Sequence, residues 1–232
     1  MMRHPLISQV LTLSLFFTLT LWSCASDTKP QGQEQQPSTV HARLPAEPDR
    51  LNPLLSTSTY GRVVNEQIFF NLLHFNPATL ELEPQLATGR PVVEEQQEGS
   101  YAGGVAYTFE LQEAARWDNG TPITAEDVAF TLKAVLNPKV ESAHVRAYLD
   151  FIQDMQIDPD NPRRFTIYAD QKYILGEAVV SNIPILPAYA YDPDGLLNEV
   201  SVAQLADPQQ AAQLAGSMPG LQQFADRFNS PE

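Results

Sequence analysis

The sequence predicts a mixed α/β or α+β body, and three observations predict it. Tyr107, Phe109 and Leu111 alternate with Thr108 and Glu110, the two-residue period of a strand with one buried face. Val128, Leu132, Val135 and Leu136 form a helical apolar stripe behind Thr124-Ala-Glu-Asp127, a capping box in which Thr124 caps and Asp127 bonds back. Other strand and helix signals follow without strict alternation.

Taken in order, residues 40–44 alternate weakly and predict a first strand. Three prolines, Pro45, Pro48 and Pro53, then impose an extended loop. Residues 56–59 (STST) supply N-caps for a helix over roughly 60–73, where Val64, Ile68 and Leu72 recur every four residues. Asn76-Pro77 ends it. Residues 92–95 and 105–111 predict two strands joined by the polar loop 96–104. Asn119-Gly120 is a turn signal before the capped helix, which stops at Asn137-Pro138. Residues 151–157 and 164–169 flank a hairpin-type loop. A short helix is predicted over 173–180, an extended segment over 183–187, and Gln/Ala-rich helical structure over 200–228. No internal repeat is evident.

Composition narrows the function. The 232 residues, 43% of them hydrophobic, suffice for one large domain or two small ones with a sizeable core. The net charge of −14 repels phosphate backbones and anionic lipid, so no nucleic-acid partner is expected. The one cysteine, Cys24, excludes an intramolecular disulfide. Its context gives it another meaning. Arg3 is followed by residues 6–21, which carry no charge and are slightly short for a membrane span. Leu21-Trp22-Ser23-Cys24 then resembles the lipobox of bacterial lipoproteins. Residues 1–23 therefore read as a signal peptide and Cys24 as an acylated N-terminus, facing the periplasm or cell exterior. An uncleaved membrane anchor is the competing reading, and it too places the remainder outside. Residues 24–39 lack any large apolar side chain and read as a flexible tether. The globular part is then 40–232.

Five stretches of that part carry a family resemblance: Pro48-Asp-Arg-Leu-Asn-Pro53, residues 65–73 (NEQIFFNLL), residues 83–87 (EPQLA), residues 107–130 (YTFELQEAARWDNGTPITAEDVAF), and Ile185-Leu-Pro187 with Tyr189 and Asp192. Their order resembles the family 5 extracellular solute-binding proteins, the peptide- and nickel-binding components of ABC importers. The resemblance runs from Val40 to about Tyr191. It implies an α/β fold like that of periplasmic binding proteins of type 2. Family members are roughly twice this length, with two lobes closing on a ligand. The expectation is an N-terminal lobe only, the second lobe being missing. The chain is then the N-terminal part of a longer protein, a broken gene, or a protein that has lost the lobe. The first two are preferred, because half a cleft exposes apolar surface.

The resemblance further implies a non-enzymatic role: capture of a peptide or similar small solute and its delivery to ABC permease subunits. The protein would act as a monomer, held to the membrane through lipid on Cys24. The loop after the first strand contributes ligand contacts in this family, which singles out Ser58, Thr59 and Tyr60. Hydroxyls and backbone groups there can pair with an extended peptide, or else serve only to cap the helix. His144 and Tyr148 are second candidates. Residues 117–127 read as structural, with packing, turn and cap roles. No catalytic residues, cofactor or metal are expected: His4, His41, His74 and His144 lack ligand spacing, and no nucleophile motif occurs. A truncated or decayed lipoprotein with a structural or interaction role and no ligand is the alternative.

Overall fold

The structure, a computed structural model, describes residues 41–230. The expected signal peptide, the tether and Cys24 lie outside the described residues. Residues 41–44 of the expected first strand carry no regular secondary structure. From Leu44 onward the described residues form one compact body.

The body is mixed α/β. Its main sheet is antiparallel, in the order β3-β4-β6-β5, from Val92–Glu95 (β3), Val105–Glu110 (β4), Ile152–Asp158 (β5) and Asn161–Ala169 (β6). The alternation read from residues 107–111 places Phe109 directly opposite Phe165 in the β4–β6 register. The two rings stack with centroids 5.5 Å apart, fully buried. Burial of each ring stabilises the fold by about 2–3 kcal/mol. Thr108 and Thr166 pair on the other face through their hydroxyls, 2.9 Å apart. Gly104 precedes β4 because a Cβ there would lie 2.0 Å from the Ala169 carbonyl oxygen.

Helix α2, Ala125–Leu136, packs its apolar stripe on this sheet. The predicted cap holds: the Thr124 N–H donates to Asp127 Oδ2 at 3.0 Å. The turn before it holds too, with Gly120 at φ 83 and Thr121 N–H donating to Asn119 Oδ1.

The expected helix over 60–73 is corrected. Helix α1 is Thr59–Asn65 only. Residues 73–75 instead form strand β1, Leu73–Phe75, paired with β2, Leu82–Pro84, around a turn in which Asn76 Oδ1 accepts from Ala78 and Thr79 N–H. The repeat of Val64, Ile68 and Leu72 mimicked a helical stripe. Its members part company, because Leu72 is buried behind the hairpin while Ile68 faces outward.

The short helices α3 (Ala143–Arg146), α4 (Gly176–Ser181) and α5 (Ala188–Tyr191) follow. The C-terminal helical region divides into α6 (Val202–Ala206), α7 (Pro208–Ser217) and α8 (Pro219–Phe228). Each break has a local cause. Ser201 and Gln204 form a reciprocal capping box for α6, Asp207 accepts from Gln209 and Gln210 N–H to cap α7, and prolines open α7 and α8. Phe224 and Phe228 of α8 stack at 5.0 Å, and Phe224 meets Phe130 of α2 edge-on.

Candidate functional site

Two adjoining concavities lie where the loop 48–58, the β1–β2 hairpin, α3 and α4 converge. Both are lined by Pro53, Phe75, Asn182 and Pro184, so they form one continuous groove. One part, about 400 Å³, is apolar and includes Leu54, Val145, Tyr148, Leu175 and Val179. The other, about 590 Å³, is polar and includes Arg62, Asn65, Asn71, His74 and Gln85.

The loop entering the groove owes its shape to Asp49. Its Oδ1 accepts from Ser56 Oγ at 2.6 Å and from Arg50 N–H at 2.9 Å, and its Oδ2 accepts from Thr57 and Ser58 N–H at 2.9 and 3.2 Å. The Ser56 hydroxyl first, then these backbone donors, hold the Asp49 pKa down at about 2. Asn52 closes the other side by accepting from Leu54 N–H through Oδ1. The Asp and Asn of Pro48-Asp-Arg-Leu-Asn-Pro53 thus fix backbone geometry. Gly61 fits beneath them, since a Cβ there would sit 2.1 Å from Ser56 Oγ.

This loop puts Ser58 to work as the N-cap of α1, its Oγ accepting from Tyr60 N–H at 3.1 Å and Gly61 N–H at 3.2 Å. Ser58, Thr59 and Tyr60 do not line the groove; Ser56 does. His144 is exposed on α3 and also lies off the lining. Tyr148 is the predicted residue that reaches the groove. It is 67% exposed beside Phe75 and Leu175, which are 46% and 52% exposed.

Arg146 fixes α3, and with it Tyr148, against the end of α2. Its guanidinium donates to the carbonyls of Val135 (2.8 Å), Asn137 (3.0 Å) and Val140 (2.6 Å) and to Ser142 Oγ (3.2 Å). The Val135 and Asn137 carbonyls stand at the C-terminal end of α2, where a cation is favoured, and Val140 lies in the loop that follows.

Sequence reasoning missed the polar end of the groove. Asn65 is buried at the last turn of α1, and Asn71 Nδ2 donates to Asn182 Oδ1 at 2.8 Å across 111 positions. Asn65 carried a faint signal, a carboxamide directly after Val63 and Val64. The asparagine pairing carried none, because it depends on long-range packing.

The residues 117–131 act as a brace. Tyr189 OH donates to Asp118 Oδ1 at 2.5 Å, Ala188 N–H donates to Asp127 Oδ1 at 3.3 Å, and Leu186 N–H donates to Thr131 Oγ1 at 2.9 Å. Burial raises the Asp127 pKa, and the Thr124 N–H bond opposes the rise. Among the described residues, no group of three or more His, Cys, Asp or Glu is placed to hold a metal ion, and no helix is long and apolar enough to cross a membrane.

Comparison with known proteins gives this geometry a context. Residues 81–207, more than half of the chain, match the model of the bacterial extracellular solute-binding proteins, family 5 Middle. The chain is 28% identical over 190 residues to Protein XP55 of Streptomyces lividans, covering 82% of this chain and 33% of that protein. It is 31% identical over 140 residues to the oligopeptide-binding protein OppA of Bacillus subtilis, covering 58% of this chain and 24% of that protein. Among solved structures, NikZ of Campylobacter jejuni in complex with Ni(L-His) superposes with a TM-score of 0.50 at 26% identity, over 62% of this chain and 26% of that one. An oligopeptide-binding protein of Thermus thermophilus complexed with a pentapeptide gives a TM-score of 0.56 at 19% identity, over 79% and 30%, a likeness of fold alone. The chain thus spans a third or less of the length of each of these relatives, and its body is part of a periplasmic-binding-protein fold. On the family match and the shared fold together, this chain belongs to the bacterial extracellular solute-binding proteins of family 5.

Proposed function

We propose that the protein captures a peptide or similar small solute for an ABC importer and passes it to the membrane permease without chemical change. The observation that carries the reading is the groove itself. An apolar end exposing Tyr148, Phe75 and Leu175 suits side chains, and the adjoining polar end suits backbone amides. The oligopeptide-binding relative at 31% identity supports peptide over other solutes. In this reading residues 1–23 direct export, Cys24 carries the lipid anchor, and 24–39 tether the body to the membrane.

Titration calorimetry with di- to pentapeptides tests the reading. Saturable binding is expected, with Tyr148→Ala weakening it about ten-fold, the loss of one well-covered aromatic contact. Heat-free titrations across the panel, or a Tyr148→Ala variant that binds equally well, would overturn it.

A further inference from the structure

Two carboxamides meet at the waist of the groove. Pro53, Phe75, Asn182 and Pro184 line both its apolar and its polar part. Of these four, Asn182 is the residue whose side chain forms hydrogen bonds. A ligand that runs from one part into the other passes it. Asn71, which lines the polar part, donates from Nδ2 to Asn182 Oδ1 at 2.8 Å.

That bond leaves a remainder. Two carboxamides carry two carbonyl oxygens and two NH₂ groups between them, and their mutual bond engages one of each. Asn71 Oδ1 and Asn182 Nδ2 are left without a partner among the described residues. Neither group is enclosed, since Asn182 is exposed and Asn71 half-buried. The two residues are also anchored. Asn71 N–H donates to Gln85 Oε1 at 2.8 Å, and the Leu86 N–H donates to its carbonyl at 3.1 Å. Asn182 is the C-cap of α4, its N–H donating to the Ala178 carbonyl at 3.1 Å. Polar partners that are fixed in advance bind with less loss of side-chain freedom.

An acceptor beside a donor suits one kind of ligand group. In an extended peptide the N–H and the C=O of the same residue point to the same side, which is how paired strands exchange two hydrogen bonds. An anion would meet the Asn182 NH₂ and be repelled by the Asn71 carbonyl. A cation would meet the carbonyl and be repelled by the NH₂. An extended residue satisfies both.

We infer that Asn71 and Asn182 form a backbone clamp for one extended residue of the ligand. Asn71 Oδ1 accepts from that residue's N–H, and Asn182 Nδ2 donates to its C=O. The inference rests on the peptide reading above and deepens it. Recognition at the waist then depends on the ligand's backbone and tolerates different side chains.

The test is calorimetry on the full chain with trialanine and two analogues, each with one of its two peptide N–H groups replaced by an ester oxygen. Asn182→Asp keeps an acceptor for Asn71 Nδ2 and removes the free NH₂, and Asn182→Ala separates that loss from the added charge. Asn71→Ala removes the free carbonyl, with Asn71→Ser in its place should it not fold. Trialanine should bind each variant about ten-fold more weakly than wild type. One ester analogue should bind wild type about ten-fold more weakly than trialanine does, yet bind the Asn71 variant as well as trialanine does, because the acceptor of the missing N–H is gone. Unchanged trialanine affinity in the variants, or an ester penalty of the same size in wild type and the Asn71 variant, would overturn the clamp and leave the peptide reading standing. N-acetylalanine methylamide, a single residue with both groups, reads the clamp separately. It is titrated into chain labelled with ¹⁵N at asparagine, the Asn182 NH₂ resonances being assigned by their loss in Asn182→Asp. A saturable shift of these resonances without heat from any peptide would remove the peptide reading and keep the clamp. No shift with either this probe or trialanine would overturn the clamp.

Discussion

Replacing Arg146 by methionine keeps most of the buried stem and removes the guanidinium that bonds three carbonyls and one hydroxyl at 2.6–3.2 Å. A hydrogen bond from a charged donor is worth about 1.5–3 kcal/mol when made alone. The four bonds share one group, so their contributions do not add in full. Arg146 is only partly buried, and water can reach some of the carbonyls released. The expected loss of stability is therefore about 2–3 kcal/mol. Urea denaturation should show it as a lower midpoint with an unchanged slope. Arg146→Lys should recover less than half, because an ammonium cannot reach all four acceptors in the fork geometry of a guanidinium. Since α3 carries Val145 and leads directly into Tyr148, peptide affinity should fall in Arg146→Met as well. A loss under about 0.5 kcal/mol would refute the assignment of Arg146 as the cap that joins α2 to α3.

Two further perturbations probe the scaffold. In Thr131→Val the hydroxyl that accepts from Leu186 N–H and donates to the Asp127 carbonyl is lost, leaving a buried donor unpaired. Urea unfolding should show a loss of about 1–3 kcal/mol, and Thr131→Ser should lose clearly less. Asp49 sets a pH dependence. Its folded pKa of about 2 lies below the ordinary 3.8, so its contribution is fully present above about pH 4 and disappears as pH falls through about 2. Asp49→Asn should cost about 1 kcal/mol at pH 7, after discounting for the group's exposure, and only a small fraction of that at about pH 2. Equal unfolding midpoints for wild type and variant across that range would exclude the role.

The parts of the fold that were legible in the sequence are those decided locally. Tyr107 to Leu111 alternate over a buried face, Asn119-Gly120 turns with Gly120 at positive φ, and Asp127 reaches back to Thr124 N–H three residues away. Each uses partners within a few residues or a period that a single strand reveals. The segment 60–73 was misread because two structures share one pattern: Leu72 and Leu73 fit a helical stripe as well as the entry to a hairpin. The choice fell to residues 82–84, which pair with 73–75. The C-terminal helices were legible as helix, and their breaks at Pro208 and Pro219 follow from proline and cap chemistry.

The groove was less legible for the same reason. Tyr148 could be singled out, yet its neighbours Phe75 and Leu175 come from segments far away in the chain. The hydroxyl-rich run at 56–60 invited a ligand role, and Ser58 spends its oxygen on capping α1. Loops that shape sites and helix caps draw on the same residue types, Ser, Thr, Asp and Asn. Composition alone does not separate the two uses.

The most direct test of the peptide-binding groove is to locate a bound peptide chemically. A trialanine-based peptide ending in a photoreactive benzophenone is irradiated with the full chain, and the adducts are mapped by mass spectrometry. Adducts are expected on fragments containing Phe75, Tyr148 and Leu175, suppressed by excess unlabelled peptide. Adducts confined to other surfaces, or labelling that excess peptide does not suppress, would contradict peptide binding in the groove.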